Sequence, residues 1–424
     1  MSEIVPILND VQRAAFDCIE KTHTNVLIFG RAGTGKSTFV NYIRAESKKR
    51  VICACPTAVS ALNIGGQTIH SLFQIPPRDF VMLDLVKVKA KTRNVLVATD
   101  VLIIDEISMV PPDVLDAMDY ICRAVRHNDM PFGGIQVVAI GDMFQLPPVI
   151  TRDAEQYYRA EYGHTNAYFF DAHVYARAHF RRFNFDFVYR QSDAGLLENL
   201  GRLRQNDVGA LEFFNACRID DDARRATAVT ITPFRAVAER INAEKLAQIN
   251  APEYTYTGEL SGNFAERDVP APIQLTLKVG AVVVFVKNSD KWHNGSVGIV
   301  RELSAREIIV QLVGESGGLV AVRPEKWQKI EYSHDENDKI IENEVGAYKQ
   351  FPLTHGWAMT IHKAQGKTLD AVVIDISRGA FAHGQVYVAL SRTRRATDMH
   401  LLSPMRACDV IFDTRVIDFM RSAE

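Results

Sequence analysis

The residues Gly30-Arg31-Ala32-Gly33-Thr34-Gly35-Lys36-Ser37 put a lysine and a hydroxyl behind three glycines. This is the pattern G-x-x-x-x-G-K-[ST]. Glycines let several backbone N–H groups turn toward one point, and a following helix N-terminus adds positive partial charge there. Lys36 can then reach β and γ phosphates, and Ser37 can hold Mg²⁺. Asp105-Glu106 follows the apolar run Val101–Ile104, about seventy residues later. At a strand end facing a ligand crevice, Asp105 would bind Mg²⁺ through water. Glu106 would activate the attacking water. An acidic pair alone reads as a solvated loop; its place after the glycine-rich loop gives it weight. Gln145 lies in Gly141–Pro148. Its amide could contact a γ-phosphate or position water, and spacing alone leaves a polar loop residue as the simpler reading. Arg190 and Arg392 could reach a γ-phosphate from a facing domain. Spacing does not single them out among 49 Lys and Arg, so a surface role stays open for both.

These residues need strands to place them. Val26–Phe29, Arg50–Ala54, Val101–Ile104 and Gln136–Ile140 are short, β-branched and nearly all apolar. Strands apolar on both faces belong to a parallel sheet covered by helices. Thr227–Thr232 and Ala371–Ile376 repeat this texture in the second half, with helical stretches around them. Between them, Ala281–Val286, Val297–Leu303, Ile308–Val313 and Leu319–Val322 read as short strands, with turn signals at Asn294-Gly295 and Gly317-Gly318. The spacing predicts an α/β protein with two parallel-sheet domains and a small β-barrel inserted in the second. The expected boundaries are 1–180 for the first domain, 181–274 and 346–424 for the second, and 275–345 for the insertion.

The chain has 424 residues, 47% hydrophobic and 24% charged. This excludes a disordered, collagenous or disulfide-scaffold protein. No apolar run approaches the ~18 residues of a membrane span, and Met1–Asp10 carries no secretory pattern. Six scattered Cys form no CxxC pair, which suits reduced thiols in a cytosol-like compartment. His355, His362, His383 and His400 lack metal-ligand spacing and read as ordinary histidines. Lys87, Lys89, Lys91 and Arg93 could line a DNA path or form a solvated face. A net charge of −2 first argues against nucleic acid. A motor that releases its track every cycle needs only a narrow channel of contacts, so the balance predicts modest, salt-sensitive affinity.

Taken together, the motifs resemble those of the Pif (petite integration frequency) family, superfamily-one helicases that move 5′ to 3′. The match runs from about Leu8 to Thr393. Leu8-Asn9-Asp10-Val11-Gln12 is similar to the adenine-recognition motif. Pro56-Thr57-Ala58 and Asn63–Ser71 resemble motifs that grip single-stranded DNA, and Asp105–Met109 resembles the Mg²⁺ motif. Asp113 to Gly134, ending Pro131-Phe132-Gly133-Gly134, resembles the signature that separates the family from other superfamily-one helicases. Tyr189-Arg190-Gln191 and Tyr387–Arg392 resemble the arginine-finger motifs, and Leu353–Gly366 the motif linking DNA to ATP.

The resemblance implies two RecA-like P-loop domains with ATP between them, an SH3-like barrel in the second, and a wedge near 73–93. It implies catalytic roles for Lys36, Glu106, Gln145, Arg190 and Arg392. ATP would be held by Gln12, Gly30, Ala32, Gly33, Thr34, Gly35, Lys36, Ser37, Thr38 and Gly366, and Mg²⁺ by Ser37 and Asp105. DNA would meet Thr57, Asn63, Thr68, His70, Phe73, His355, Thr360 and Lys363. Phe73 and Trp357 could serve as stacking platforms, with a buried aromatic the simpler reading for each. The implied partners are single-stranded DNA, 5′-tailed duplex and G-quadruplex or RNA–DNA hybrid structures, in DNA repair and recombination. The chain looks like a minimal bacterial or phage form, a cytoplasmic monomer with no membrane partner. Two rivals stay in view: a P-loop kinase for a small molecule, and a non-catalytic DNA-binding module. The complete set of Lys36, Ser37, Asp105 and Glu106 argues against the second.

Overall fold

The computed structural model describes residues 7–76, 80, 88–189, 191, 193–314, 317–335 and 339–422. The chain divides into two compact units. The first comprises residues up to Met143, Pro147–Tyr189 and Gln328–Gly346. Its core is a six-stranded parallel sheet of β1 (Val26–Gly30), β2 (Val51–Cys55), β3 (Gln67–Thr68), β4 (Val101–Ile104), β5 (Gln136–Gly141) and β6 (Arg181–Phe185). The order is β3-β2-β4-β5-β1-β6. β1, β4 and β5 are buried at every position, as strands covered on both faces must be, so they read as unbroken apolar runs. The register pairs Phe29 with Gly141, Ala54 with Ile104 and Cys55 with Thr68. The carboxyl ends of the strands therefore share one edge, where ligands of open α/β sheets bind.

Helix α1 (Asp10–Lys21) opens with a capping box formed by Asn9 and Gln12. Four more helices follow: α2 (Lys36–Glu46), α3 (Ala58–Ile64), α4 (Ile69–Phe73) and α5 (Ala90–Ala98). α6 (Pro112–Arg126) starts on a proline, which suits the first helical turn. Its buried Asp119 binds Arg123 and Arg177 and accepts the Phe132 N–H at 2.7 Å. Phe132 is fully buried in the left-handed region, at φ 53°. Gly133, at φ 60°, lies so close to Cys122 that an added Cβ would sit 2.5 Å from its carbonyl oxygen. The Asp113–Gly134 signature is thus a helix and a strained turn clasped together by one buried carboxylate.

The first domain was expected to stop at 180. Arg181–Phe185 instead adds a parallel edge strand on β1. Its charged residues are the exposed and partly exposed positions of that edge.

The second unit comprises Phe144–Leu146, Arg190–Trp327 and Ala347 onward. It continues the strand series with β7 (Val229–Thr232), β8 (Tyr254–Thr257), β9 (Glu259–Gly262), β10 (Gln274–Leu277), β11 (Val282–Phe285), β12 (Val297–Leu303), β13 (Ile308–Leu312) and β14 (Leu319–Val322). After these come β15 (Glu325–His334) and β16 (Ile340–Gln350), most of whose residues group with the first unit, and then β17 (Leu353–His355), β18 (Ala358–Thr360), β19 (Val372–Ile374) and β20 (Met399–Leu401). The parallel sheet is β18-β7-β19-β20, and an antiparallel sheet runs β14-β13-β12-β11-β17. β17 brings residues 353–355 into the antiparallel sheet, outside the expected insertion limits of 275–345. Residues 328–346 group with the first unit. There Tyr332 accepts the Cys53 N–H at 3.1 Å and Glu342 pairs with Arg44.

Among the described residues, no helix is long and apolar enough to cross a membrane. All six cysteines are free, and only Cys408 is exposed. Of the wedge expected at 73–93, residues 77–79 and 81–87 lie outside the described residues, Lys87 included.

Candidate nucleotide and DNA site

The glycine-rich loop leaves β1 at Gly30 and enters α2 at Lys36. Gly33 and Gly35 take φ of 83° and 81°, values an L side chain resists. A Cβ on Gly30 would meet the Thr34 hydroxyl at 2.4 Å. Lys36 Nζ donates to the carbonyls of Gly30 and Arg31 at 2.7 and 2.9 Å. The ammonium is thereby held over the loop. Ser37 and Thr38 are exposed at the helix start, and Ala32 and Thr34 are buried.

Asp105 leaves β4 nearly buried. Burial pushes its carboxyl above the usual range, against the opposing pull of the Glu106 N–H and of Lys36. A buried carboxylate disfavoured as an anion welcomes a cation. With the Ser37 hydroxyl it would make an all-oxygen donor set, of the chemistry that suits Mg²⁺ shared with phosphates. Among the described residues, no cluster of three His, Cys, Asp or Glu could hold a metal by itself. Glu106 sits in the left-handed region, at φ 54° and ψ 44°. A non-glycine residue there costs about 1–2 kcal/mol, and such strain collects at functional sites.

Gln12 is buried beside the loop. Its Oε1 accepts the Asn9 N–H and its Nε2 approaches the Thr34 carbonyl at 3.5 Å. The family resemblance points to Arg190 in Tyr189-Arg190-Gln191, and Arg190 lies outside the described residues. The neighbouring Tyr189 went unread. It is 55% exposed, its N–H donates to Gly33 O at 2.8 Å, and its hydroxyl accepts from Asn9 Nδ2 at 3.3 Å. Its ring would lie 3.6 Å from a Cβ on Gly35. An exposed ring bonded to a phosphate-type loop was signalled only by its place next to the arginine.

Of the DNA candidates in the first unit, Thr57 and Thr68 are N-caps. Each accepts a helix N–H at 3.2 Å, from Ser60 and Ser71. Thr57 follows β2 and Thr68 ends β3, at the same sheet edge. Asn63 is exposed, and His70 Nδ1 meets the Ile75 carbonyl at 3.1 Å. Phe73 corrects the sequence reading. It closes a five-residue helix with its ring fully buried, so it is a core group and not a stacking platform. Trp357 in the second unit is buried as well.

The Gln145 segment groups with the second unit. Its neighbour Phe144 lies under the Arg204 guanidinium at 4.3 Å and meets the Phe412 ring at 5.9 Å. A Cβ on Gly384 would meet the Gln145 and Phe144 carbonyl oxygens at 2.4 and 2.5 Å. Arg392 is completely buried. Its Nε donates to Val388 O at 2.7 Å, its Nη1 to Ala364 O and Lys367 O, and its Nη2 to the Ser391 hydroxyl. Thr360 caps the turn Ile361–Ala364 by accepting the Lys363 N–H, and Lys363 and Gly366 are exposed. His355 Nε2 bonds the Thr276 carbonyl at 2.8 Å, and burial lowers its pKa.

Residues 7–175 match the model of the PIF1-like helicase family, and residues 355–397 match a UvrD-like helicase C-terminal domain. The ATP-dependent DNA helicase Pif1 of Bdellovibrio bacteriovorus is 30% identical over 98% of this chain and 92% of its own length. The fungal ATP-dependent DNA helicase PIF1 of Emericella nidulans is also 30% identical, and this chain spans 64% of its length. The crystal structure of Bacteroides sp Pif1 with ADP-AlF4 is 33% identical. It gives a TM-score of 0.89 over 98% of this chain and 97% of that one. A Bacteroides Pif1 structure with ADP-AlF3 and single-stranded DNA is 34% identical, covers 98% and 97% of the two chains, and gives 0.71. The chain belongs to the Pif1 family of ATP-dependent DNA helicases, with two RecA-like parallel sheets.

Proposed function

We propose that this chain moves 5′ to 3′ on single-stranded DNA and unwinds duplexes, G-quadruplexes and RNA–DNA hybrids. The observation that carries the reading is the shared sheet edge of the first unit. Lys36, Asp105 and Glu106 stand there with the DNA candidates Thr57 and Thr68, so one scaffold serves both ligands. Lys36 neutralises β and γ oxygens, and Glu106 takes the proton of the attacking water. Ser37 and Asp105 would hold Mg²⁺, which would supply charge neutralisation to the phosphates. Gln145 orients the water. Arg190 and Arg392 respond to the γ-phosphate, so its loss alters the grip of Thr360 and Lys363 on the backbone. Such phosphate contacts carry no sequence information.

ATPase measured with and without single-stranded DNA, in the wild type and Lys36→Ala, tests the reading. Strong stimulation, absent in Lys36→Ala, is expected. A wild-type rate that ignores DNA would leave a kinase-like ATPase instead. Comparing 5′-tailed with 3′-tailed duplexes tests the polarity, since unwinding of the 3′-tailed duplex alone would reverse it.

Tyr189 adds a prediction. If its ring stacks on the adenine beside Gln12, Tyr189→Ala removes about 1–3 kcal/mol of base stacking. The KM for ATP then rises roughly tenfold with a smaller change in kcat. A kcat defect at unchanged KM would rule the stacking out.

A further inference from the structure

The loop after Gly366 contains a buried cation that the reading above does not use. Lys367 is 9% exposed, and its Nζ donates to Asn294 Oδ1 at 2.7 Å. Among the described residues that amide oxygen is its only side-chain partner, and the neighbouring charge is another lysine, Lys363. Burial and Lys363 together pull the ammonium down to about 8. A buried charge with no carboxylate is costly to keep.

The loop it anchors is also tied to Arg392. Arg392 Nη1 donates to the carbonyls of Ala364 and Lys367, and the Leu369 N–H donates back to Arg392 O at 2.9 Å. On the other side, Asn294 lies in the turn between β11 and β12. Gly295, at φ 105°, comes so close that a Cβ would lie 2.3 Å from Thr368 O. A short chain of contacts therefore runs from the antiparallel sheet, through Asn294 and Lys367, to the loop that cradles the guanidinium of Arg392. Immediately before that loop stands Lys363, a DNA candidate.

We propose that Lys367 is a positioning residue: seated on Asn294, it fixes the 364–369 loop so that Arg392 is held ready for the nucleotide while Thr360 and Lys363 engage DNA. This rests on the reading of Arg392 as a group that governs hydrolysis. Removing the charge relieves a buried cation and at the same time loosens the loop, so stability and activity move in opposite directions. An ordinary structural residue does not behave this way.

The test measures DNA-stimulated ATPase and thermal melting at pH 7 for the full chain. Lys367→Met is expected to lower kcat about tenfold with the KM for ATP unchanged, and to raise Tm by about 2 °C or more. Lys367→Arg, which keeps a cation in reach of Asn294, restores most of the rate. Asn294→Leu reproduces the kcat loss, and the double variant with Lys367→Met is no slower than either single one. A wild-type rate in Lys367→Met, a fall in Tm that accompanies its loss of rate, or additive losses in the double variant overturns the proposal. Arg392→Lys is run alongside. If it hydrolyses ATP normally, the reading of Arg392 itself fails. If it is inactive while Lys367→Met is normal, only the positioning role fails.

Discussion

Glu106→Gln lowers kcat by ~10²–10⁴, the usual contribution of a positioned general base, with little change in the KM for ATP. The amide keeps the shape and removes the basic oxygen. The P-loop, Lys36 and Asp105 are untouched, so nucleotide is still bound and no longer turned over. A second substitution separates chemistry from folding. Glu106 occupies the left-handed region at φ 54°, where a side chain costs about 1–2 kcal/mol that glycine does not. Glycine in turn loses more chain entropy on folding, by roughly 0.5–1 kcal/mol. These effects nearly cancel, so Glu106→Gly folds within about 1 kcal/mol of the wild type and is as inactive as Glu106→Gln. Single-turnover hydrolysis together with urea unfolding checks both halves. Substantial hydrolysis by either variant would move the base elsewhere in the site.

The nucleotide half of the site was legible because its chemistry is local in sequence. A fully buried strand must be apolar, and a phosphate loop must have glycine where φ is positive. Val26–Gly30 with Gly33 and Gly35 shows both signals within ten residues. Asp105 follows the same logic at the end of β4. What the sequence hid depends on packing between distant segments. The pattern Ile69–Phe73 does not reveal which way so short a helix faces, and Phe73 turned out to be core. β6 lacks the unbroken apolar run of the central strands because an edge strand shows solvent what a central strand hides. That residues 328–346 group with the first unit follows from contacts such as Tyr332 to Cys53, 279 positions apart. Neither partner signals that contact locally. Lys367 stayed unread because nothing in G-K-T says that a lysine is buried.

Arg392→Lys is expected to reduce kcat by at least ~10³, at the lower end of what an arginine finger contributes. The geometry makes this a sharp case, because two roles compete. The guanidinium is completely buried and its fork is spread over Val388, Ala364, Lys367 and Ser391. As a clasp alone, its loss would strand buried carbonyls at about 1–3 kcal/mol each, and the damage would appear in stability. Arg392→Ala cannot tell the roles apart, since it empties the cavity and orphans every acceptor. Lysine keeps the charge and can still serve one or two carbonyls, so folding loses only part of that sum. It lacks the planar fork that spans acceptors and phosphate oxygens together. A kcat loss of 10³ corresponds to about 4 kcal/mol in the barrier. A well-folded variant can show that loss only if the guanidinium acts on the transition state, exchanging part of its carbonyl set for phosphate. Hydrolysis by Arg392→Lys within tenfold of the wild type, with a lowered unfolding midpoint, would make Arg392 a clasp and leave the γ-phosphate to Arg190 and Lys36.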